Sequence, residues 1–173
     1  CYSFTPLTFT THVAPKNLET ASTNGALFVQ VFDANGIPIS GASVHIESVF
    51  GTPAVDINDV TNQNGMLQIV DIIPGVNRYK ITVSKSGYST GTTYASTDLG
   101  GSIPVTPHAT VVLQQVTQIS FQIDRAGTIY ASTVRDTCTP VADVSFNLTG
   151  TKLIGTIPDV YKYTVDHQTD NNG

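Results

Sequence analysis

The chain has 173 residues, 40% of them hydrophobic but only 12% charged, with a formal net charge of −5. That apolar share supports a buried core in one or two domains. The acidic balance and the absence of a Lys/Arg cluster exclude nucleic acid and anionic membrane surfaces as partners, and no apolar run reaches the ~20 residues of a spanning helix.

In chain order, residues 2–13 come first and alternate loosely, with Phe4, Leu7 and Phe9 set among threonines. This period-two pattern predicts a strand. No charged n-region or apolar h-region precedes Cys1, so the start is read as a trimmed boundary rather than a lipidated cysteine. Residues 14–24 read as a linker. Strand signals then follow in quick succession: 27–32, 42–49, 55–60, 66–70, 78–84, 110–113 and 119–123. Asn35-Gly36 and Asn64-Gly65 break the run, and Asn-Gly favours the positive φ of a tight hairpin turn. No segment carries helical spacing with end signals. About seven short strands at this spacing predict an all-β, Ig-like sandwich over residues 25–125.

The sequence then repeats. Gly36-Ile37-Pro38-Ile39-Ser40-Gly41-Ala42-Ser43-Val44 returns in weaker form around Pro140-Val141-Ala142-Asp143-Val144, 102 positions later. Thr61-Asn62-Gln63-Asn64-Gly65 returns as Thr169-Asp170-Asn171-Asn172-Gly173, 108 positions later. Residues 126–173 are therefore expected to be a truncated second sandwich, with strands at 128–133, 144–148 and 161–165. It would be a fragment, or be completed by something else.

The residues from Phe32 to Ile46, Thr61 to Leu67 and Tyr79 to Ser89 resemble the carboxypeptidase regulatory-like domain, a prealbumin-like sandwich related to the Cna-B stalk modules. The whole arrangement, with Ala14-Pro15-Lys16 leading into such a domain, is similar to the extracytoplasmic part of bacterial pilin-like surface proteins. The resemblance implies a non-catalytic accessory module. Cna-B relatives often carry a Lys–Asn isopeptide bond, but Val31-Phe32-Asp33 offers no Lys and 119–123 no Asn, so none is expected here.

Catalytic chemistry is not legible. The peptidase motif His-x-x-Glu is absent, and His12, His45, His108 and His167 stand apart from Glu at ligand spacing. Asp33-Ala34-Asn35-Gly36 and Asp170-Asn171-Asn172-Gly173 lack the twelfth-position Glu of a calcium loop and read as Asx-Gly turns. No Gly-x-Ser-x-Gly or Cys-His signature is present. Cofactor and metal are expected to be none. Cys1 and Cys138 are candidates for one disulfide, whose distance the sequence does not supply.

The expected function is a non-enzymatic, extracellular structural module: a stalk, spacer or filament subunit whose partners are copies of itself or neighbouring domains. Residues 2–13, through Phe4, Leu7 and Phe9, are the candidate strand to donate to an open sheet edge. The alternative is an adhesin-type module that binds glycan or protein through loop 91–107, with Tyr94 as its candidate contact.

Overall fold

The computed structural model describes residues 23–172. Its strands are β1 (Gly25–Phe32), β2 (Ser43–Ser48), β3 (Asp56–Val60), β4 (Met66–Ile72), β5 (Gly75–Ser84), β6 (Gly91–Thr92), β7 (Ile103–Pro104), β8 (Ala109–Val111), β9 (Val116–Gln122), β10 (Ser145–Thr149), β11 (Leu153–Thr156), β12 (Val160–Tyr161) and β13 (Thr164–Gln168). A single 3-10 turn, Ser96–Leu99, is the helical element among the described residues.

Alternation along each strand builds two facing sheets. In β1, Leu27, Val29 and Val31 are buried while Ala26, Phe28 and Gln30 are only partly so. Val44 and Ile46 of β2 and Tyr79, Ile81 and Val83 of β5 point inward from the opposite side and are fully covered. One sheet runs β4-β1-β9; the other runs β3-β2-β5-β6, with β8 also paired to β5. Side chains from the two inner faces form one core from Leu27 to Ile123. Tyr79 places its hydroxyl at the edge of this core, where it donates to the Ile73 carbonyl at 2.6 Å.

The strands β1 and β9 are parallel neighbours, in register over seven pairs from Ala26–Val116 to Phe32–Gln122. They are the first and last strands of the sandwich, so the chain enters and leaves it along one hydrogen-bonded seam.

The two Asn-Gly signals mark turns: Asn35-Gly36 folds the chain back into a single antiparallel bridge between Phe32 and Pro38, and neither turn joins two strands of one sheet. After Asp33–Gly36 the chain leaves β1's sheet for β2's, and after Asn62–Gly65 it returns from β3 to β4. Both corners use the same device. Asp33 Oδ1 accepts from the Asn35 and Ile37 amides, and Asn62 Oδ1 accepts from the Asn64 and Met66 amides. Gly65 is required at its corner. Its φ is +69°, and a Cβ there would lie 2.4 Å from the Val31 carbonyl oxygen.

Candidate functional site

Among the described residues, the second repeat is the part without a covered core. Its local geometry reproduces the first bond by bond. Thr61 Oγ1 donates to the Ile39 carbonyl at 2.7 Å and accepts from the Ala42 amide at 2.9 Å. Thr169 Oγ1 donates to the Val141 carbonyl at 2.8 Å and accepts from the Val144 amide at 3.1 Å. The main chain agrees: Gly41 donates to the Thr61 carbonyl as Asp143 does to that of Thr169, and Ile39 donates to Val31 as Val141 does to Thr133. Asp170 Oδ1 accepts from the Asn172 amide, repeating the corner of Asn62. Left-handed Cys138 and Asp143 occupy the places of Gly36 and Gly41. The antiparallel pair β10–β13 matches β2–β3, with Ser145–Gln168 in the place of Ser43–Val60.

The repeat then departs from its template. The expected strand at 128–133 is irregular backbone. Its counterpart β1 is held on both sides by β4 and β9, and among the described residues no strand lies beside 128–133 to pair with it. The expected strand at 161–165 is two elements, because β12 pairs with β11 while β13 pairs with β10. Tyr161, Tyr163 and Val165 therefore do not share a buried face, and each is exposed.

Core-type positions consequently face outward. Leu27 is 0% exposed, but its counterpart Ile129 is 74% exposed; Ile46 is 0% exposed, but its counterpart Leu148 is 39% exposed. Phe146, counterpart of buried Val44, is half-covered and stacks on His167 with ring centroids 6.0 Å apart. In the first repeat β2 is flanked by β3 and β5; in the second, β10 has β13 alone among the described residues. Among the described residues no strand pairs with its outer edge, which runs beside apolar side chains, the arrangement that accepts an added strand.

The second repeat is joined to the first by a feature that the sequence did not announce. The connection between β10 and β13 is six residues longer than its counterpart, and it carries β11 and β12 outward. β11 adds antiparallel to β7 within loop 91–107, pairing Gly155 with Pro104 and Thr156 with Ile103, while the Val105 amide donates to the Ile154 carbonyl at 3.0 Å. Gly155 is buried there: a Cβ would come within 3.0 Å of Leu99 Cδ1 and 3.2 Å of Ser102 Cβ. Its signal was a glycine inside a short apolar run, Leu153-Ile154-Gly155, which marks close backbone approach.

Tyr94 sits half-buried at this seam, its amide donating to the Thr106 carbonyl at 2.9 Å. Burial pushes its hydroxyl above the ordinary tyrosine value, with Tyr163 from across the seam and Asp98 adding to the shift. Tyr88, expected at the end of its strand, packs partly buried against the core. His108 is buried with Nδ1 3.0 Å from Thr93 Oγ1, and His45 meets Asp56 at 2.9 Å on the surface. No group of three His, Cys, Asp or Glu converges on a metal-sized site among the described residues. Cys138 is exposed on its turn, while Cys1, Phe4, Leu7, Phe9 and His12 lie outside the described residues.

No protein-family model matches the chain, so the carboxypeptidase regulatory-like assignment stays a resemblance. No curated protein matches it either. Solved structures similar to it include the Bacillus anthracis TIE protein, with a TM-score of 0.43, 12% identity, and 87% of this chain aligned to 25% of that one. The minor pilin of Streptococcus agalactiae gives a TM-score of 0.40 and 12% identity over 65% of this chain and 49% of the pilin. Hydroxyquinol 1,2-dioxygenase from Pseudomonas putida gives a TM-score of 0.40 and 10% identity over 62% of this chain and 58% of the enzyme. Likenesses this distant include both pilins and an enzyme, and they select no function. The functional reading rests on the geometry of the chain itself.

Proposed function

We propose that this chain is a non-enzymatic, extracellular structural module, a load-bearing stalk, spacer or filament unit of a surface protein. The observation that carries this reading is the parallel pairing of β1 with β9. Tension along the chain enters at the N-terminal end of β1 and leaves at the C-terminal end of β9. For parallel neighbours these ends lie at opposite ends of the pair, so the load shears the whole ladder at once instead of peeling it bond by bond. The addition of β11 to β7 carries the load onward by tying the second repeat to the first. A surface with few charges and many hydroxyls and amides suits an exposed spacer.

Assembly follows from the open edge of β10. On our reading, the alternating segment 2–13 of a neighbouring copy, with Phe4, Leu7 and Phe9, adds to that edge and covers Phe146 and Leu148. Repeated head-to-tail, such a contact propagates as a filament.

Stretching residues 23–125 end to end in a single-molecule instrument tests the mechanical role. The expected trace is one cooperative rupture at high force, and gradual low-force extension would refute the role. Sedimentation of the full chain tests the assembly: concentration-dependent growth that a peptide of residues 2–13 suppresses is expected. A monomer with an ordered second repeat at high concentration would refute it.

A further inference from the structure

The seam between the repeats encloses a cleft of about 280 Å³, which the addition of β11 to β7 creates. Two lysines enter it from one hairpin. Lys152 and Lys162 are joined through the main chain, the Lys162 amide donating to the Lys152 carbonyl at 2.9 Å, and both side chains are half-buried in the lining. Each ammonium donates to a backbone carbonyl, Lys152 Nζ to that of Gln122 at 3.0 Å and Lys162 Nζ to that of Thr90, and Lys162 Nζ also lies 5.1 Å from the centroid of the Tyr163 ring. Neither forms an ion pair with a carboxylate among the described residues.

An ammonium carries three donors, so both retain capacity. The chain holds 13 acidic residues against 8 Lys and Arg. In such a chain, acidic partners for two lysines are plentiful, yet these two share one cleft without any. Their placement is complementary to an anion, and a charge-assisted contact is about twice as strong as a neutral one.

The rest of the lining narrows the class of anion. Phe121 and Tyr94 line it with aromatic side chains, and Thr106 and Gln122 line it with neutral polar ones, while the Thr92 hydroxyl is engaged with Thr82 Oγ1 at 3.1 Å. Hydroxyl-accepting polar groups beside an aromatic platform match a sugar ring, and the volume is at the small end of ligand pockets, the scale of one monosaccharide. We propose that this cleft binds a carboxylate-bearing sugar, the carboxylate lying between the Lys152 and Lys162 ammoniums and the ring against Tyr94. The module would then hold an acidic glycan at the joint between its repeats.

The test is an amide-shift titration of the full chain with glucuronate, against glucuronamide, glucose and acetate. Expected are saturable shifts at residues 90–94, 105–106, 152–154 and 162 with glucuronate, and binding weaker by about tenfold or more for the two neutral sugars. Acetate should be weaker still. Absence of saturable shifts with glucuronate overturns the proposal, as does equal binding of glucuronamide. Acetate binding as tightly as glucuronate reduces the cleft to an adventitious ion only. Lys152→Gln keeps a donor for the Gln122 carbonyl and should cost about tenfold in glucuronate affinity; unchanged affinity would overturn the proposal. Should that variant disturb the β7–β11 pairing, the contrast of glucuronate with glucuronamide on the unaltered chain decides the matter alone.

Discussion

The two repeats are written in one local grammar and differ in what surrounds them. Ile46 and Leu148 occupy equivalent positions on equivalent strands, β2 and β10, yet Ile46 is sealed and Leu148 is 39% exposed. Thr61 and Thr169 make the same bonds to equivalent atoms. Turns and corner hydrogen bonds, including ones that link residues 19 to 28 positions apart, therefore form without a covered core around them. A buried face requires the strands that lie across from it. The repeats separate local encoding from tertiary completion within a single chain.

The largest effect should come from truncating that matched apolar pair. Ile46→Ala empties a fully enclosed site and should cost about 2–5 kcal/mol. Leu148→Ala should cost well under half as much, because much of its surface is already wet. Chemical denaturation of each variant, followed by amide signals of β2 and β10, measures both. Equal losses would mean that the second repeat has a covered core after all.

Next come the two threonines. Thr61→Val leaves the Ile39 carbonyl and Ala42 amide without a partner and should cost about 1–3 kcal/mol. Thr169→Val leaves the Val144 amide without its partner, whereas the Val141 carbonyl keeps the bond from Thr133 Oγ1 at 2.7 Å. Its signature should be faster amide exchange at Val144 with unchanged melting of the first repeat. Loss of the first repeat's stability on Thr169→Val would show the two to be one cooperative unit.

A cost of the same order, about 1–3 kcal/mol but confined to the seam, is expected for Gly155→Val, which forces a side chain against Leu99 and Ser102. Limited proteolysis should then cut within 150–163, leaving the sandwich of β1 to β9 intact. Resistance equal to that of the unaltered chain would mean that the β7–β11 pairing does not hold the repeats together.

The smallest effect is a pH dependence belonging to the first repeat alone. Burial holds His108 below the ordinary histidine value; Asp98 acts against this, Lys80 with it, and Glu47 against it. The unfolded chain thus binds a proton more readily than the folded one. The stability from a neutral His108 is complete above the unfolded value of about 6.5 and fades as the pH falls below it. His108→Gln should flatten that slope in melting experiments between about pH 7 and pH 5. An unchanged slope would place the titration elsewhere.

The longer strands of the first repeat were legible because period-two burial is written along them, as in Leu27, Val29 and Val31 of β1. The repeat itself was legible in the residues that make its corners, Thr61 with Asn62 and Thr169 with Asp170. What was not legible depends on partners distant in sequence. Asn35-Gly36 signals a turn, but nothing in two residues says whether the next strand stays in its sheet. Residues 128–133 have the composition of a strand, yet a strand exists only beside another. The β7–β11 seam rests on two paired residues per strand, below the length at which alternation can be read. The lysine cleft depends on that seam, and was illegible for the same reason.

The central claim is that the first repeat is built to resist tension along the chain, and it is tested most directly by pulling it in two directions. Handles at residues 25 and 122 load the parallel β1–β9 ladder in shear. Handles at residues 25 and 72 load the antiparallel β1–β4 pair, where Gly25 faces Ile72, from one end only. The account predicts a distinctly higher rupture force for the first geometry than for the second. Equal forces, or a weaker end-to-end pull, would contradict it.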